Sequence, residues 1–229
     1  MNYLDRTPAG LRGFMIKILI ADDHGIVRTG LKLLLERVPD LEVVGEASDG
    51  REAVRCAEEV KPDVVVMDIG MPLLNGLEAT AQIVKGNERV GVVILSMHAD
   101  ESYILRALGA GARGYLLKDT ADESVEAAIR SAAAGKTYFS PGIARALSQD
   151  YVQLMRDRRV TDSHDLLTER EREVLQLLAE GKANKEVAFV LNLSPYTVET
   201  HRTNLMQKLG LHNTAEIVLY AVRKGIIRP

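Results

Sequence analysis

The chain has 229 residues, and its mix of 46% hydrophobic and 27% charged residues is that of a folded globular protein with one large or two small domains. It has no apolar run near the roughly 20 residues that span a bilayer, and no basic-then-apolar start typical of a secretory signal. Cys56 is the single cysteine, which excludes an intrachain disulfide and a cysteine-rich metal site. We therefore expect a cytoplasmic protein that is not attached to a membrane.

The charge is divided unevenly along the chain. Residues 15–136 hold 14 basic and 20 acidic side chains, whereas residues 160–229 hold nine of each. This shift predicts two domains, at 15–136 and 166–229, joined by a linker at 137–165 and preceded by a disordered extension at 1–14. Neither domain is basic enough to indicate nucleic-acid binding from its charge alone.

Short apolar segments alternate with amphipathic helical segments through the first half of the chain. Each strand-like segment is followed by apolar residues at helical spacing, which is typical of a parallel sheet covered on both faces. The segment is too short for a closed eight-fold barrel, which needs about 250 residues. We predict an α/β domain with a five-stranded doubly wound parallel sheet in flavodoxin-like order. The strand-like segments are 17–21, 41–45, 63–68, 91–96 and 113–118.

Polar side chains follow these strands at the ends where the strands stop. Asp22 and Asp23 follow the first strand, Asp68 ends the third, Ser96 the fourth and Lys118 the fifth. Carboxyl ends of parallel strands meet at one edge, and a binding site forms there at the switch point between strands one and three. Three neighbouring carboxylates need a counter-charge, for which Mg²⁺ is suited. This set predicts phosphoryl transfer to a carboxylate. The alternative for any one of these aspartates is a turn or cap residue.

Three motifs carry a family resemblance. The segments 20–24, 66–72 and 114–119 resemble the receiver domain of bacterial two-component response regulators, and the similarity extends from about residue 15 to residue 135. The resemblance implies that Asp68 is the phosphoacceptor and that Mg²⁺ is required.

The same resemblance assigns the remaining site residues. The metal ligands would be Asp23, Asp68 and the backbone carbonyl of Gly70, with Asp22 close by or bridged by water. Lys118 would contact the phosphoryl group, and Ser96 and Tyr115 would be the switch pair. Gly70 and His98 occupy positions that tune the phosphoryl lifetime, and His24 is interpreted as structural.

The second half of the chain contains signals for four helices. Thr168 with Glu171 and Asn213 with Glu216 are capping boxes, and Ser194-Pro195 begins a long helix. Two helices separated by about three residues, the second one longer, predict an all-α, four-helix domain that contains a helix-turn-helix.

The long helix has an apolar and a polar face. Val198, Leu205 and Leu209 share the face that we expect to pack inward. The polar face suits a DNA major groove, although without further information it could be only a solvated surface. The segments 167–171, 184–188 and 197–201 resemble the LuxR-type helix-turn-helix of NarL-type response regulators. Glu199 stands where many relatives carry lysine, so their base preference is not transferred. The predicted DNA-contacting residues are Lys185, Tyr196, Thr197, Glu199, Thr200, Thr203, Asn204, Gln207 and Lys208.

The last helix is apolar nearly all round, which favours burial on two sides. One face comprises Ala215, Val218, Leu219 and Val222, and we expect it to pack inward. The second face would meet another copy in a two-fold dimer that reads two half-sites. A few harmless exposed apolar residues are the alternative. The predicted dimer surface consists of Ile217, Tyr220 and Ala221.

These observations predict a transcription regulator, not an enzyme, that is controlled by phosphorylation. A sensor histidine kinase would phosphorylate Asp68, Ser96 would move toward the phosphate, and Tyr115 would turn inward. The DNA-binding domain would then be released, or the dimer strengthened, and promoter DNA bound. The alternatives are a phosphorylation-independent DNA-binding regulator and an aspartate-nucleophile phosphatase. Gly70 argues against a phosphatase, which carries a second aspartate at that position.

Overall fold

A computed structural model describes residues 15–97, 100–140, 143 and 163–227 of the chain. The predicted extension at 1–14, the greater part of the predicted linker and His98 lie outside the described residues. Within the part that is described, every helix is too short or too polar to traverse a bilayer.

The first domain alternates strands and helices as predicted. A short 3₁₀ turn, Lys118–Thr120, follows the fifth strand. The strands are β1 (Ile16–Ala21), β2 (Leu41–Ala47), β3 (Val64–Asp68), β4 (Gly91–Ser96), β5 (Gly114–Leu117) and β6 (Tyr138–Phe139). The helices are α1 (Gly25–Leu35), α2 (Gly50–Val60), α3 (Gly76–Gly86), α4 (Glu101–Gly109) and α5 (Ala121–Ala133).

The sheet is parallel throughout, with strand order β2-β1-β3-β4-β5-β6. β1 lies beside β3, so the order reverses there and the predicted switch point is confirmed. The sheet has six strands where five were predicted. β6 has two residues, Tyr138 and Phe139, which pair with Gly114 and Tyr115. So short a strand shows no alternation pattern, and the sequence therefore predicts a linker at its residues.

Apolar side chains cover both faces of the sheet. The central strand β3 is buried along its whole length, as expected where helices cover both faces. One apolar cluster lies under α2, α3 and α4 and includes Leu19, Met67 and Ile94. The other lies under α1 and α5 and includes Val66 and Ile129. This packing makes the sheet a rigid support for its carboxyl edge.

The second domain contains α6 (Glu169–Ala179), α7 (Asn184–Leu191), α8 (Pro195–Leu209) and α9 (Thr214–Arg223). Thr168 forms the predicted capping box with Glu171, and Ser194 accepts from the Thr197 N–H at the start of α8. Asn192 and Gly210 adopt positive φ values of 53° and 66° and end α7 and α8. Three residues separate α7 from α8, so the helix-turn-helix is present.

Helix α9 packs with the opposite face from the one predicted. Ile217 and Ala221 have no exposed surface and lie in the core of the second domain, and Tyr220 packs partly buried against the same cluster. The prediction that Ile217 and Ala221 form part of a dimer surface is wrong, because neither side chain reaches the surface. Periodicity defines two apolar stripes on α9, and the packing of α9 against α6 decides which of them is buried. The stripe that was predicted to pack inward is the exposed one, and its Leu219 retains 55% of its surface.

The two domains contact each other through the loop between β3 and α3 and through helices α3 and α4. The Leu73 side chain packs against the apolar cluster of the second domain. Arg106 of α4 donates a 3.0 Å hydrogen bond to the Lys224 carbonyl. The Tyr103 hydroxyl occupies the position where a Cβ on Gly225 would stand. The second domain is therefore docked against the edge of the sheet that carries the polar residues.

Candidate functional site

The predicted acidic residues meet at the carboxyl ends of β1 and β3. Asp22 directly follows β1, and its N–H donates to the Ala47 carbonyl at the end of β2. Asp68 is the last residue of β3. Both side chains are almost completely buried, at 1% and 3% exposure. Because β1 and β3 are neighbours, their terminal carboxylates face one hollow, as the sequence predicts.

Lys118 joins these carboxylates. Its ammonium lies 2.6 Å from Asp22 Oδ2 and 3.1 Å from Asp68 Oδ1, and its side chain is 11% exposed. Lys118 follows β5, two strands away from β3, so its side chain spans the edge of the sheet to reach Asp68. Buried carboxylates need such a partner, because unpaired charges are costly away from water. The ammonium therefore neutralises part of the negative charge of this acidic pair.

Asp23 and His24 complete the cluster at its mouth. One ligand atom from each of Asp22, Asp23, His24 and Asp68 lies within 4.8 Å of the others. His24 Nδ1 lies 2.8 Å from Asp23 Oδ1 and 3.1 Å from Asp22 Oδ1. Arg28 donates a 2.6 Å hydrogen bond to the Asp22 carbonyl and holds the turn. The imidazole is thus in hydrogen-bond range of the carboxylates, which agrees with a structural part for His24.

The backbone after Asp68 folds tightly against it. The Gly76 N–H donates to the Ile69 carbonyl at 2.8 Å. A Cβ on Gly76 would lie 1.9 Å from the Asp68 carbonyl oxygen, so only glycine allows α3 to begin so close to Asp68. Gly70 lies within this turn, beside the mouth of the hollow.

Ser96, the last residue of β4, and Tyr115, within the neighbouring strand β5, form a buried pair. Each is 1% exposed. Burial raises the pKa of Tyr115 to about 12, and a side-chain hydrogen bond with Ser96 opposes that rise. The phenol is therefore neutral at physiological pH. Tyr115 is buried beside Ser96, and its movement on phosphorylation stays a prediction.

A cavity of about 430 Å³ opens beside the hollow. Asp23, Gly70 and residues 71–72 line one side of the cavity. Residues 179–180 and 226–227 of the second domain line the other side. The approach to the acidic cluster is therefore shared between the two domains.

Helix α8 presents its polar face to solvent. Tyr196 is 83% exposed, whereas Val198 and Leu205 are fully buried. The other predicted contact residues are exposed, except for Thr197, which is half-buried and bonds the Ser194 hydroxyl. The inward face is therefore as predicted, and the docked first domain leaves the polar face uncovered. The exposed set comprises Lys185, Tyr196, Glu199, Thr200, Thr203, Asn204, Gln207 and Lys208.

Two of the predicted DNA-contacting residues already have protein partners. Lys208 lies 2.7 Å from Glu171 Oε2, and that contact opposes the effect of burial and lowers the pKa of Glu171 overall. Glu199 accepts a hydrogen bond from Asn184. A phosphate contact by Lys208 would therefore compete with an ion pair.

The residues that join the two domains were not predictable from the sequence pattern. Gln176 of α6 is 1% exposed and bonds the backbone of the loop after Asp68. Glu78 of α3 faces His164 and Arg172, at 3.6 and 3.5 Å. A polar residue among the apolar residues of α6 gave no signal that another domain would cover it.

Comparisons with known proteins agree with this architecture. Residues 18–130 match the family described as "Response regulator receiver domain", and residues 165–221 match "Bacterial regulatory proteins, luxR family". The oxygen regulatory protein NreC of Staphylococcus aureus is 41% identical over 215 residues, covering 93% of this chain and 99% of that protein.

Two solved structures are similar over most of the chain. The RcsB response regulator of Salmonella typhimurium is 27% identical with a TM-score of 0.56, covering 92% of this chain and 99% of that one. A structure of two RcsB dimers bound to two parallel DNAs is 26% identical with a TM-score of 0.55, covering 90% and 96%. The chain belongs to the bacterial response regulators that join a receiver domain to a LuxR-type helix-turn-helix, a family of phosphorylation-dependent DNA-binding transcription regulators.

Proposed function

We propose that Asp68 is the phosphoacceptor of this regulator and that a sensor histidine kinase is its physiological donor. One observation carries the proposal: the Lys118 ammonium lies between the buried carboxylates of Asp22 and Asp68, at 2.6 and 3.1 Å. An Asp68 carboxylate oxygen forms the new bond to phosphorus as the bond to the donor's nitrogen breaks. Lys118 neutralises charge on the transferred group, so the protein contributes mainly positioning and electrostatics.

The residues fit a magnesium ion. Asp22, Asp23 and Asp68 supply hard oxygen ligands from one cluster, and the Gly70 carbonyl is the candidate fourth protein atom. Three carboxylates face one ammonium, which leaves an excess of negative charge that a divalent cation would balance. When bound, Mg²⁺ would neutralise charge on the phosphoryl oxygens.

The acceptor assignment is tested with acetyl phosphate as the donor. Incubation with acetyl phosphate and Mg²⁺ should add the mass of one phosphoryl group to the intact protein. Asp68→Asn should gain none, and chelation of Mg²⁺ should prevent the gain in the unaltered chain. Labelling of Asp68→Asn equal to that of the unaltered protein would contradict the assignment.

We further propose that α8 binds the major groove of promoter DNA through its exposed polar face. Short polar side chains such as Thr203 and Asn204 can contact base edges or thymine methyl groups. Lys185 is exposed and free of the contact that engages Lys208, so it is the better candidate for a phosphate contact.

The DNA proposal is tested with a duplex selected from a random-sequence pool by the phosphorylated protein. Thr203→Ala should weaken binding to the selected duplex by about tenfold, as the loss of one base contact does. It should change binding to unrelated duplexes little. The matched control is Thr29→Ala, an exposed threonine on α1 of the receiver domain, which should leave both affinities unchanged. Equal affinities for Thr203→Ala and Thr29→Ala would contradict the assignment of α8.

Phosphorylation could act by releasing the DNA-binding domain or by strengthening a dimer. The exposure of α8 favours the second route. The polar face of α8 is already exposed while the two domains are in contact. Control of DNA binding by phosphorylation therefore does not require this face to be uncovered. We propose that phosphorylation strengthens a two-fold dimer that reads two half-sites. The exposed stripe of α9, with Leu219 at 55% exposure, is the candidate contact between copies. With promoter DNA as its ligand, the protein would work in the cytoplasm and would not be an enzyme.

A further inference from the structure

A second cavity, of about 400 Å³, opens between α2 and α3 of the receiver domain. Helix α2 begins in close contact with the segment before α3, since a Cβ on Gly50 would lie 1.9 Å from the Leu74 carbonyl oxygen. At the last residue of α3, by contrast, a Cβ on Gly86 would meet no atom of another segment within 4 Å. The two helices therefore diverge toward their carboxyl ends, and the small residues Ala57 and Gly86 leave the space between them open.

This cavity is separate from the acidic cluster. Val90, which lines it, directly precedes β4, whereas Ser96 ends that strand at the carboxyl edge of the sheet. The residues that line the cavity include no member of the group formed by Asp22, Asp23, His24 and Asp68. A ligand bound here would therefore not touch the phosphoacceptor site.

The floor of the cavity is apolar. Ala57, Ile83 and Val90 retain 9%, 5% and 3% of their surface, and Val54 packs against the same core cluster. Sites for small molecules usually have volumes of about 300–1,000 Å³ and apolar walls, with a few polar groups that fix the orientation of the ligand. The volume and the floor suit a small molecule that carries an aromatic ring or a branched alkyl group.

Two hydrogen-bond donors stand at the rim. Lys61 caps α2 with a φ of +48°, a conformation in which glycine is usual, and its exposed ammonium has no ion pair within the part of the chain that the structure describes. Asn87 Oδ1 accepts from the Arg89 N–H at 3.1 Å, so the Nδ2 group is the part of this amide that is left to donate. An ammonium and an amide N–H₂ at one rim can bind a carboxylate.

Two acceptors stand at the same rim. Glu58 is exposed, and its carboxylate likewise has no ion pair with any described residue. Gln82 Nε2 donates to Glu173 at 2.9 Å, so Gln82 Oε1 is left to accept. These two groups can bind an ammonium. Since Glu58 and Lys61 carry opposite charges, the rim favours a zwitterion over a simple cation or anion.

We propose that the cavity between α2 and α3 binds a free amino acid with a large apolar side chain. The α-carboxylate binds Lys61 and Asn87, the α-ammonium binds Glu58 and Gln82, and the side chain covers the apolar floor. The inference is independent of the proposed role of Asp68, because the two sites share no residue.

The experiment titrates the ¹⁵N-labelled full chain with four probes and follows the backbone amide signals by NMR. L-Phenylalanine has all three recognised parts, L-alanine lacks the large side chain, phenethylamine lacks the carboxylate and 3-phenylpropionate lacks the ammonium. L-Phenylalanine should cause saturable shifts among residues 82–90, with a Kd on the order of 1 mM or below. Each of the other probes should bind about tenfold more weakly, as the loss of a charged hydrogen bond or of a buried ring predicts.

Variants of the rim assign the two charged ends. Lys61→Met should weaken binding of L-phenylalanine about tenfold and leave that of phenethylamine unchanged. Glu58→Gln should weaken binding of L-phenylalanine by a similar factor and leave that of 3-phenylpropionate unchanged. The matched controls are Lys17→Met and Glu42→Gln, exposed positions on β1 and β2 that do not line the cavity, and both should bind every probe as the unaltered protein does.

Three results overturn the inference. The first is the absence of saturable shifts at any concentration to which L-phenylalanine dissolves. The second is equal binding of L-alanine and L-phenylalanine, which would show that the apolar floor is not used. The third is an affinity for L-phenylalanine that is the same in Lys61→Met and Lys17→Met, or in Glu58→Gln and Glu42→Gln.

Discussion

Replacement of Lys118 by methionine should lower the free energy of unfolding of the receiver domain, whether or not the protein is phosphorylated. The substitution keeps a side chain of similar length but removes the ammonium between Asp22 and Asp68, which are 1% and 3% exposed. Removal of one partner from a buried ion pair typically costs 3–5 kcal/mol. Because Lys118 retains 11% exposure and the site opens to water, we expect a loss of about 3 kcal/mol in the free energy of unfolding.

Added Mg²⁺ should recover part of this loss. A cation that binds the folded cluster stabilises it according to its concentration relative to its Kd, by about 2.7 kcal/mol at a hundredfold excess. The assay is urea unfolding followed by far-UV circular dichroism, with a chelator and then with Mg²⁺. Lys118→Met should respond to Mg²⁺ more strongly than the unaltered chain.

Lys85→Met is the matched control. Lys85 lies 3.3 Å from Glu169, but the two side chains are 77% and 51% exposed, and surface pairs of this kind contribute about 0–1 kcal/mol. The reasoning is refuted if Lys118→Met loses no more stability than Lys85→Met in the presence of the chelator. A loss that Mg²⁺ leaves unchanged would contradict the metal assignment instead.

Three further predictions follow from buried or exposed groups. Burial raises the pKa of Tyr115 to about 12, so the unfolded chain loses this proton first and stability should fall by about 2 kcal/mol between pH 10 and 12. Tyr115→Phe should flatten that decline in urea titrations. Gly76→Ala should lower stability by at least about 2 kcal/mol, because its Cβ would strike backbone. Gly86→Ala on the same helix has open space and should be neutral or stabilising. Leu219→Glu should weaken self-association of the phosphorylated protein in sedimentation velocity.

Each of these predictions has a clear contrary result. A Tyr115→Phe profile that still falls in parallel with that of the unaltered protein would show that another group titrates there. Equal unfolding midpoints for the two glycine variants would remove the argument for close approach of α3 to Asp68. Unchanged sedimentation of Leu219→Glu would exclude the exposed stripe of α9 as the dimer contact.

The site was predictable from the sequence because its residues follow strands directly. Asp22, Asp68 and Lys118 sit at the ends of apolar segments, and parallel strands bring such ends to one edge whatever the surroundings. The pattern of apolar segments predicts that Lys118 lies at the carboxyl edge of the sheet, but it does not predict which side chains Lys118 contacts. The resemblance to receiver domains then supplied the roles.

The errors arose where the local pattern was ambiguous. Helix α9 carries two apolar stripes of similar strength, so periodicity could not show that Ile217 rather than Leu219 faces the core. Strand β6 is too short to alternate. Gln176 is a polar residue on a helix surface by every local criterion, and its partners at Met71 and Asn75 lie about 100 positions away in another domain. Such contacts are set by tertiary packing, which single-segment patterns do not encode.

The orientation of Tyr115 depends on packing that the sequence pattern does not encode. The structure buries Tyr115 beside Ser96, and its movement on phosphorylation stays a prediction. The phenol stays protonated and can keep its hydrogen bond to Ser96.

The affinity for a selected two-half-site duplex, before and after phosphorylation, tests the central claim most directly. For the unaltered protein we predict that treatment with acetyl phosphate and Mg²⁺ tightens binding by at least about tenfold. Asp68→Asn, treated in the same way, should bind with the affinity of the untreated protein. Equal affinities of the phosphorylated and unphosphorylated protein would contradict the account, as would the same tightening in Asp68→Asn.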